Sequence, residues 1–225
     1  MNAAVLFSGG KDSLFSLYKE RKKYNISCLI SLKPKTDASY MFHYPNIDLV
    51  KKQAKLLNIP LIFIKTKGEK EEELKDLEKA IKMAVKKYKI KALISGALAS
   101  NYQKSRIEKL CKKYNLKSVA PLWGINPEGY LEELIKNKFE VIITGIAADG
   151  LNQNYLGRTI DKNIIRELKK LKIHLGFEGG EAETFVLNCP LFKKKLKIIK
   201  AEKQMENDCT GKLIIKKISL LENKI

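Results

Sequence analysis

Cysteine is scarce in this 225-residue chain: Cys28, Cys111, Cys189 and Cys209 are its four, with no C-x-x-C pair among them. Histidine is scarcer, at two residues, so neither a disulfide framework nor a Cys/His zinc site has the residues it needs. The pattern suits a reduced, cytoplasmic protein. Long apolar runs are missing too: none approaches the roughly 18 residues of a membrane span. Met1 is followed directly by Asn2 and a short apolar stretch, so neither signal peptide nor anchor is expected.

Acidic residues are also in short supply. Asp and Glu number 25 against 44 Lys and Arg, a formal charge of +19 that invites a nucleic-acid partner. Lysine is spread through nearly every helix, however, with no block of five or six like charges and no aromatic-interleaved RNA motif. That distribution suits a thermophile-like composition and favours a protein or small-molecule partner. The hydrophobic share, 44%, is enough for a core without staples.

What the chain does have is Ser8-Gly9-Gly10-Lys11-Asp12-Ser13, after the apolar run Ala3–Phe7 and at the head of an amphipathic run from Ser13 to Tyr24. A buried strand, a glycine turn and a helix leave free backbone N–H groups and the positive end of a helix dipole at one point, which is an anion cradle. Gly9 and Gly10 let an oxyanion approach the backbone, Ser8 and Ser13 add hydroxyl donors, and Lys11 adds a mobile positive charge. The spacing is not G-x-x-x-x-G-K-[ST], because the glycines are adjacent and Asp12 follows Lys11. Nor is it G-x-G-x-x-G, because Leu14 takes the third glycine position.

Strand signals at Ala3–Phe7, Cys28–Leu32, Leu61–Ile64, Ala92–Ser95 and Val119–Gly124 alternate with helical stretches. This predicts an α/β fold with a doubly wound, parallel five-stranded sheet. Expected helix cores are Leu14, Leu17 and Tyr18; Val50, Ala54 and Leu57; and Leu74, Leu77, Ile81, Ala84, Val85 and Tyr88. From Trp123 the pattern changes: a helix over 127–138, a strand over 139–144, a glycine- and asparagine-rich loop over 145–158, and a helix capped by Asp161. Two antiparallel strands then follow at 196–202 and 212–221. The chain therefore divides into a doubly wound α/β domain over 1–122, with the anion cradle, and a smaller α+β domain over 123–225.

Ligands of such sheets lie outside the carboxyl ends of the strands. The loop after the second strand carries Tyr40, Phe42 and His43, placed to flank a base, with His43 as the expected contact. After the fourth strand, Gly96 opens a segment in which Tyr102, Gln103 and Arg106 share the start of a helix, Arg106 being the best phosphate or carboxylate clamp. A third candidate is Gly176-Phe177-Glu178-Gly179-Gly180-Glu181-Ala182-Glu183-Thr184, whose three carboxylates in six residues repel one another unless a cation lies between them. The alternative for each is structural: aromatic side chains packed under a loop, an unpartnered surface arginine, an acidic loop offsetting lysines.

The Ser8–Ser13 stretch resembles the PP-loop of the ATP pyrophosphatases. Taken with Tyr102-Gln103, Arg106, Glu108 and Cys111, with Pro121-Leu122-Trp123, with Gly150-Leu151 and Leu156-Gly157, and with the EGGExET stretch, the chain resembles the diphthine-ammonia ligases in their short archaeal form. It departs at Asn188, where an aspartate is expected. The resemblance implies ATP-dependent amidation of the diphthine carboxylate on translation elongation factor two with free ammonium, giving AMP and pyrophosphate. It implies ATP on Ser8, Gly9, Gly10, Lys11, Asp12, Ser13, His43 and Gly96, with magnesium near Asp12. Substrate would lie on Tyr102, Gln103, Glu178, Gly179, Gly180, Glu181, Glu183 and Thr184, and catalysis would involve Lys11, Arg106, Glu181 and Glu183. Trp123 or Tyr102 offers an aromatic face to the trimethylammonium of diphthine. The alternatives are a PP-loop enzyme modifying an RNA base, or a non-enzymatic adenine-nucleotide sensor.

Overall fold

The computed structural model describes residues 1–34, 46–66 and 70–223. The chain forms two compact units, Met1–Ser8 with Asp12–Trp123 and Gly9–Lys11 with Gly124–Ile225.

In the first unit the elements run β1 (Asn2–Leu6), α1 (Lys11–Glu20), β2 (Asn25–Pro34), α2 (Val50–Leu57), β3 (Leu61–Thr66), α3 (Lys70–Tyr88), β4 (Ala92–Ile94), α4 (Asn101–Lys113) and β5 (Lys117–Val119). The five strands pair in the order β3-β2-β1-β4-β5, every neighbour parallel. Ala3, Ala4 and Val5 of β1 and Ala92, Leu93 and Ile94 of β4 are all 0% exposed. Such unbroken apolar strands are what a parallel sheet buried on both faces requires. Leu77, Ala80, Ile81 and Ala84 form the helical stripe of α3 that packs into this core.

Three details depart from expectation. Leu56, not Leu57, is the buried leucine of α2, and Phe15 joins Leu14 and Leu17 in the core beside α1. The fifth strand covers only Lys117–Val119, and most of the stretch expected as a strand ending in a turn by Gly124 is the turn. Pro121 cannot donate to a ladder, and Gly124, at φ +71°, leaves extended geometry, so 121–124 is turn with Leu122 buried inside it.

The second unit holds α5 (Pro127–Lys136), β6 (Glu140–Ala147), α6 (Lys162–Leu168), β7 (Ala182–Asn188), β8 (Lys194–Asn207) and β9 (Thr210–Glu222). Asn126 caps α5 through Gly129 N–H with Pro127 at the first helical position, and the expected cap Asp161 accepts from the N–H groups of Asn163 and Ile164. Its strands form an antiparallel sheet in the order β7-β6-β9-β8. β9 joins β6 only through Thr210, Gly211 and Lys212, while it pairs with β8 from Thr210 to Glu222, so much of the β8–β9 hairpin is a two-stranded arm. β7 was not anticipated; it takes up the second half of the acidic stretch. Among the described residues no helix is long and apolar enough to cross a membrane.

Candidate active site

In the first unit the strand order reverses at β1, with β2 on one side and β4 on the other, which makes the β1/β4 boundary the switch point where such sheets bind ligands. The turn after β1 sits there. Ser13 Oγ lies 3.3 Å from both the N–H and the Oγ of Ser8, closing the turn across its ends. Asp12, half-buried in the first turn of α1, complements the helix dipole. Gly96 explains itself by contact: a Cβ there would stand 2.8 Å from the carbonyl carbon of Asp12 and 2.9 Å from the N of Ser13. Only glycine lets the segment after β4 lie against the first turn of α1.

Gly9–Lys11, grouped with the second unit, is held by the β7 region. Gly9 takes φ +80°, and its carbonyl accepts from Val186 N–H at 3.0 Å. Lys11 N–H donates to Thr184 Oγ1 at 3.2 Å, and Lys11 Nζ donates to the carbonyl of Gly176 at 2.8 Å. The ammonium also lies 5.0 Å from the Phe177 ring centroid and 5.7 Å from that of Tyr130. The expected mobile cation is thus 2% exposed, stabilised by a carbonyl dipole and two aromatic faces. Gly176 and Phe177 open the acidic stretch singled out in the sequence, whereas Tyr130 was absent from the candidates and reads as an ordinary core residue of α5.

The acidic stretch has a structural account that the sequence did not offer. Glu181 Oε2 accepts from Gly179 N–H at 2.8 Å and Oε1 from His174 N–H at 3.1 Å, so this carboxylate closes its own loop. A Cβ on Gly179 would meet Glu181 Oε1 at 2.8 Å, and Gly180 takes φ +82°. The glycine pair is therefore required by a carboxylate folded back on its backbone and by a left-handed turn. Glu183 lies on β7 opposite Gly145 of β6, whose missing side chain makes room for it. Among the described residues no three His, Cys, Asp or Glu side chains converge as a metal cage. Glu181 lies in the turn and Glu183 on the strand that follows it.

At the start of α4, Ser100 Oγ accepts from Gln103 N–H, setting the helix end. The Arg106 guanidinium stacks 3.4 Å from the centroid of the Tyr102 ring, its Nη1 donates to the Tyr102 carbonyl at 3.4 Å, and its buried Nε has no partner among the described residues. Lys104 Nζ stands 4.0 Å from the Trp123 ring centroid. Both aromatic residues expected to face a substrate cation already carry one of the protein's own on one face. His43 lies outside the described residues. Burial pushes the Cys28 thiol up to about 12 and the Cys111 thiol to about 11, where they are protonated at neutral pH and poor nucleophiles.

A parallel sheet in the order 3-2-1-4-5, with a serine-flanked glycine turn and a helix N-terminus at its switch point, defines a nucleotide-binding α/β protein of the PP-loop kind. Family models described as Diphthamide synthase N-terminal domain and Diphthamide synthase C-terminal domain match residues 1–118 and 126–221. The chain belongs to the diphthamide synthase family. It is 33% identical to the Diphthine–ammonia ligase of Homo sapiens over 228 residues, covering 90% of this chain and 84% of that one. The Schizosaccharomyces pombe protein of the same name is 30% identical over 238 residues, covering 97% of this chain and 39% of its own length. A solved structure titled as a predicted subunit of tRNA methyltransferase from Methanocaldococcus jannaschii aligns with a TM-score of 0.44 at 20% identity, over 84% of this chain and 98% of that one.

Proposed function

We propose that the protein amidates the carboxylate of diphthine on translation elongation factor two, in the cytoplasm, using ATP and free ammonium. The observation that carries this reading is the joining of two separate motifs: Lys11 of the SGGKDS turn is bonded through its N–H to Thr184, the last residue of EGGExET, and through its Nζ to Gly176, two residues before that segment begins. A nucleotide-sensing protein has no use for that second segment, and the membership of both halves of the chain in one ligase family argues against an RNA-modifying enzyme.

In the first step a substrate carboxylate oxygen bonds to the α-phosphorus of ATP while the α–β bridging P–O bond breaks, and pyrophosphate leaves with the electron pair. The N–H groups at the head of α1 and the hydroxyls of Ser8 and Ser13 hold the phosphates, and Gly96 keeps that helix end in place. Lys11 and Arg106 supply positive charge. In the second step ammonia forms the C–N bond, the acyl C–O bond breaks, AMP departs, and the surplus proton passes to a carboxylate, for which Glu181 and Glu183 are the candidates. A hard oxygen donor such as Asp12, beside the phosphates, fits magnesium carried mainly on the nucleotide, where it neutralises phosphate charge.

The test is AMP formation that depends on both ammonium and diphthine-bearing elongation factor. ADP with orthophosphate, or AMP formed equally without the factor, removes the reading. Glu181→Gln and Glu183→Gln together should stop amide formation while ATP still binds; unimpaired ligation by the double variant would relieve both glutamates of their role.

A further inference from the structure

The β8–β9 arm carries a feature that neither the nucleotide chemistry nor the fold calls for. Lys200 and Lys217 are direct cross-strand partners, as are Lys197 and Ser219 two rows away on the same face. Directly opposed residues in an antiparallel pair hold their Cβ atoms about 4.5–5.5 Å apart, and like charges there are destabilising. Other lysines of the arm are matched: Lys194 with Glu222, Lys195 with Glu140 at 2.6 Å, Lys212 with Glu206 at 3.6 Å, Lys216 with Glu202 at 3.4 Å, and Lys203 with the Gln153 carbonyl at 2.8 Å. Lys197, Lys200 and Lys217 have no ion pair or hydrogen bond among the described residues, and all three are exposed. The adjacent carboxylate, Glu202, already binds Lys216 and Gln204, and it feels Lys200 only as its weakest influence.

Apolar surface lies beside this unmatched charge. Leu221, 41% exposed, shares the face through its pairing with Lys195, and Ile199, 50% exposed, is left without a cross-strand partner where the register slips between Ile198 and Lys200. Lysine on an open strand is an ordinary defence against edge-to-edge pairing, but that defence does not require lysines opposite each other on both strands. We propose that this face of the β8–β9 arm is a docking surface for an acidic patch on the protein that carries diphthine. The proposal rests on the function argued above and names where its protein substrate is met. A protein surface fits better than a phosphate backbone: β8 and β9 contain no arginine and no aromatic residue to read or stack on nucleic acid, and Glu202 and Glu206 repel phosphates along the same strand. Charges of this kind act mainly on the encounter rate, so their effect belongs in KM and fades with salt.

The test compares parent and Lys197→Glu/Lys200→Glu/Lys217→Glu enzymes with diphthine-bearing elongation factor, ATP and ammonium at low ionic strength. The expected result is a KM for the factor raised about tenfold or more, with kcat at saturation and KM for ATP unchanged, and the difference shrinking by roughly 0.5 M salt. Lys217→Glu alone separates docking from folding. It turns a like-charged cross-strand pair into an opposite one, so the melting temperature should hold or rise while KM for the factor still increases. An unchanged KM overturns the surface, as does a variant that amidates normally but loses the parent's retention on immobilised polyuridylate, which would assign the face to nucleic acid. A parent enzyme that forms no amide overturns the function and this surface with it; an active parent matched by the triple variant overturns the surface alone.

Discussion

The antiparallel sheet has two edges, and the chain treats them in opposite ways. At β7 the edge is engaged: Val186 N–H binds the carbonyl of Gly9, and Thr184 receives the N–H of Lys11. At β8 the edge is open and lined with lysine. One edge takes up a piece of backbone from 170 or more residues away, the other fends off foreign strands. The difference teaches that an edge strand is a binding element by default, and side-chain charge decides whether it is used.

Breaking the occupied edge should have the largest consequence. Lys11→Ala removes the cation and its bond to Gly176, and turnover should fall about 10²- to 10³-fold with the fold intact by circular dichroism. A variant with near-normal turnover would place Lys11 outside the chemistry. Gly179→Ala comes next: the added methyl displaces the Glu181 carboxylate from two backbone N–H groups, at an expected cost of about 1–2 kcal/mol in chemical denaturation. Thr184→Val should weaken ATP binding by about five- to tenfold, the worth of one hydrogen bond, and Thr184→Ser should restore it. If valine binds ATP normally while serine does not, the methyl and not the hydroxyl holds Lys11.

The open edge should respond least. Hydrogen bonds from Gln204 and then Lys216 hold the Glu202 carboxyl below its usual range. Its folded-state pKa is depressed, so the stability it lends is present above the ordinary glutamate pKa and is lost as pH falls through the folded value. The site is exposed, so Glu202→Gln should flatten that acid limb only slightly, and the difference should vanish in high salt. A large shift in the acid midpoint would mean that the β8 edge is more than a charged margin.

The parallel sheet was legible because β1 to β4 carry apolar runs that alternate with helices, and the anion cradle because a glycine pair between strand and helix has few other uses. Chain register was less so: which of Leu56 and Leu57 is buried turns on a helix start fixed by residues outside the pattern. β7 escaped notice because AETFVLN carries Glu183 near its start and lies one residue beyond the Gly179-Gly180 pair, masking its alternation. The carboxylates of EGGExET pointed toward a bound cation, yet Glu181 binds its own backbone, a choice set by a left-handed glycine turn that composition does not disclose. Lys11 was legible as important; its setting between Tyr130 and Phe177 was not, since nothing local ties residue 11 to either.

The bond between Lys11 and Gly176 also bears on how the protein is made. Synthesis runs from the amino end, and single domains fold as their residues become available. The SGGKDS turn emerges well before its partners Gly176, Thr184 and Val186, which follow 165 or more residues later. A nascent chain can build the parallel sheet early and still lack a finished nucleotide loop until β7 has left the ribosome. Contacts so distant in sequence close slowly because the entropy of the intervening loop opposes them.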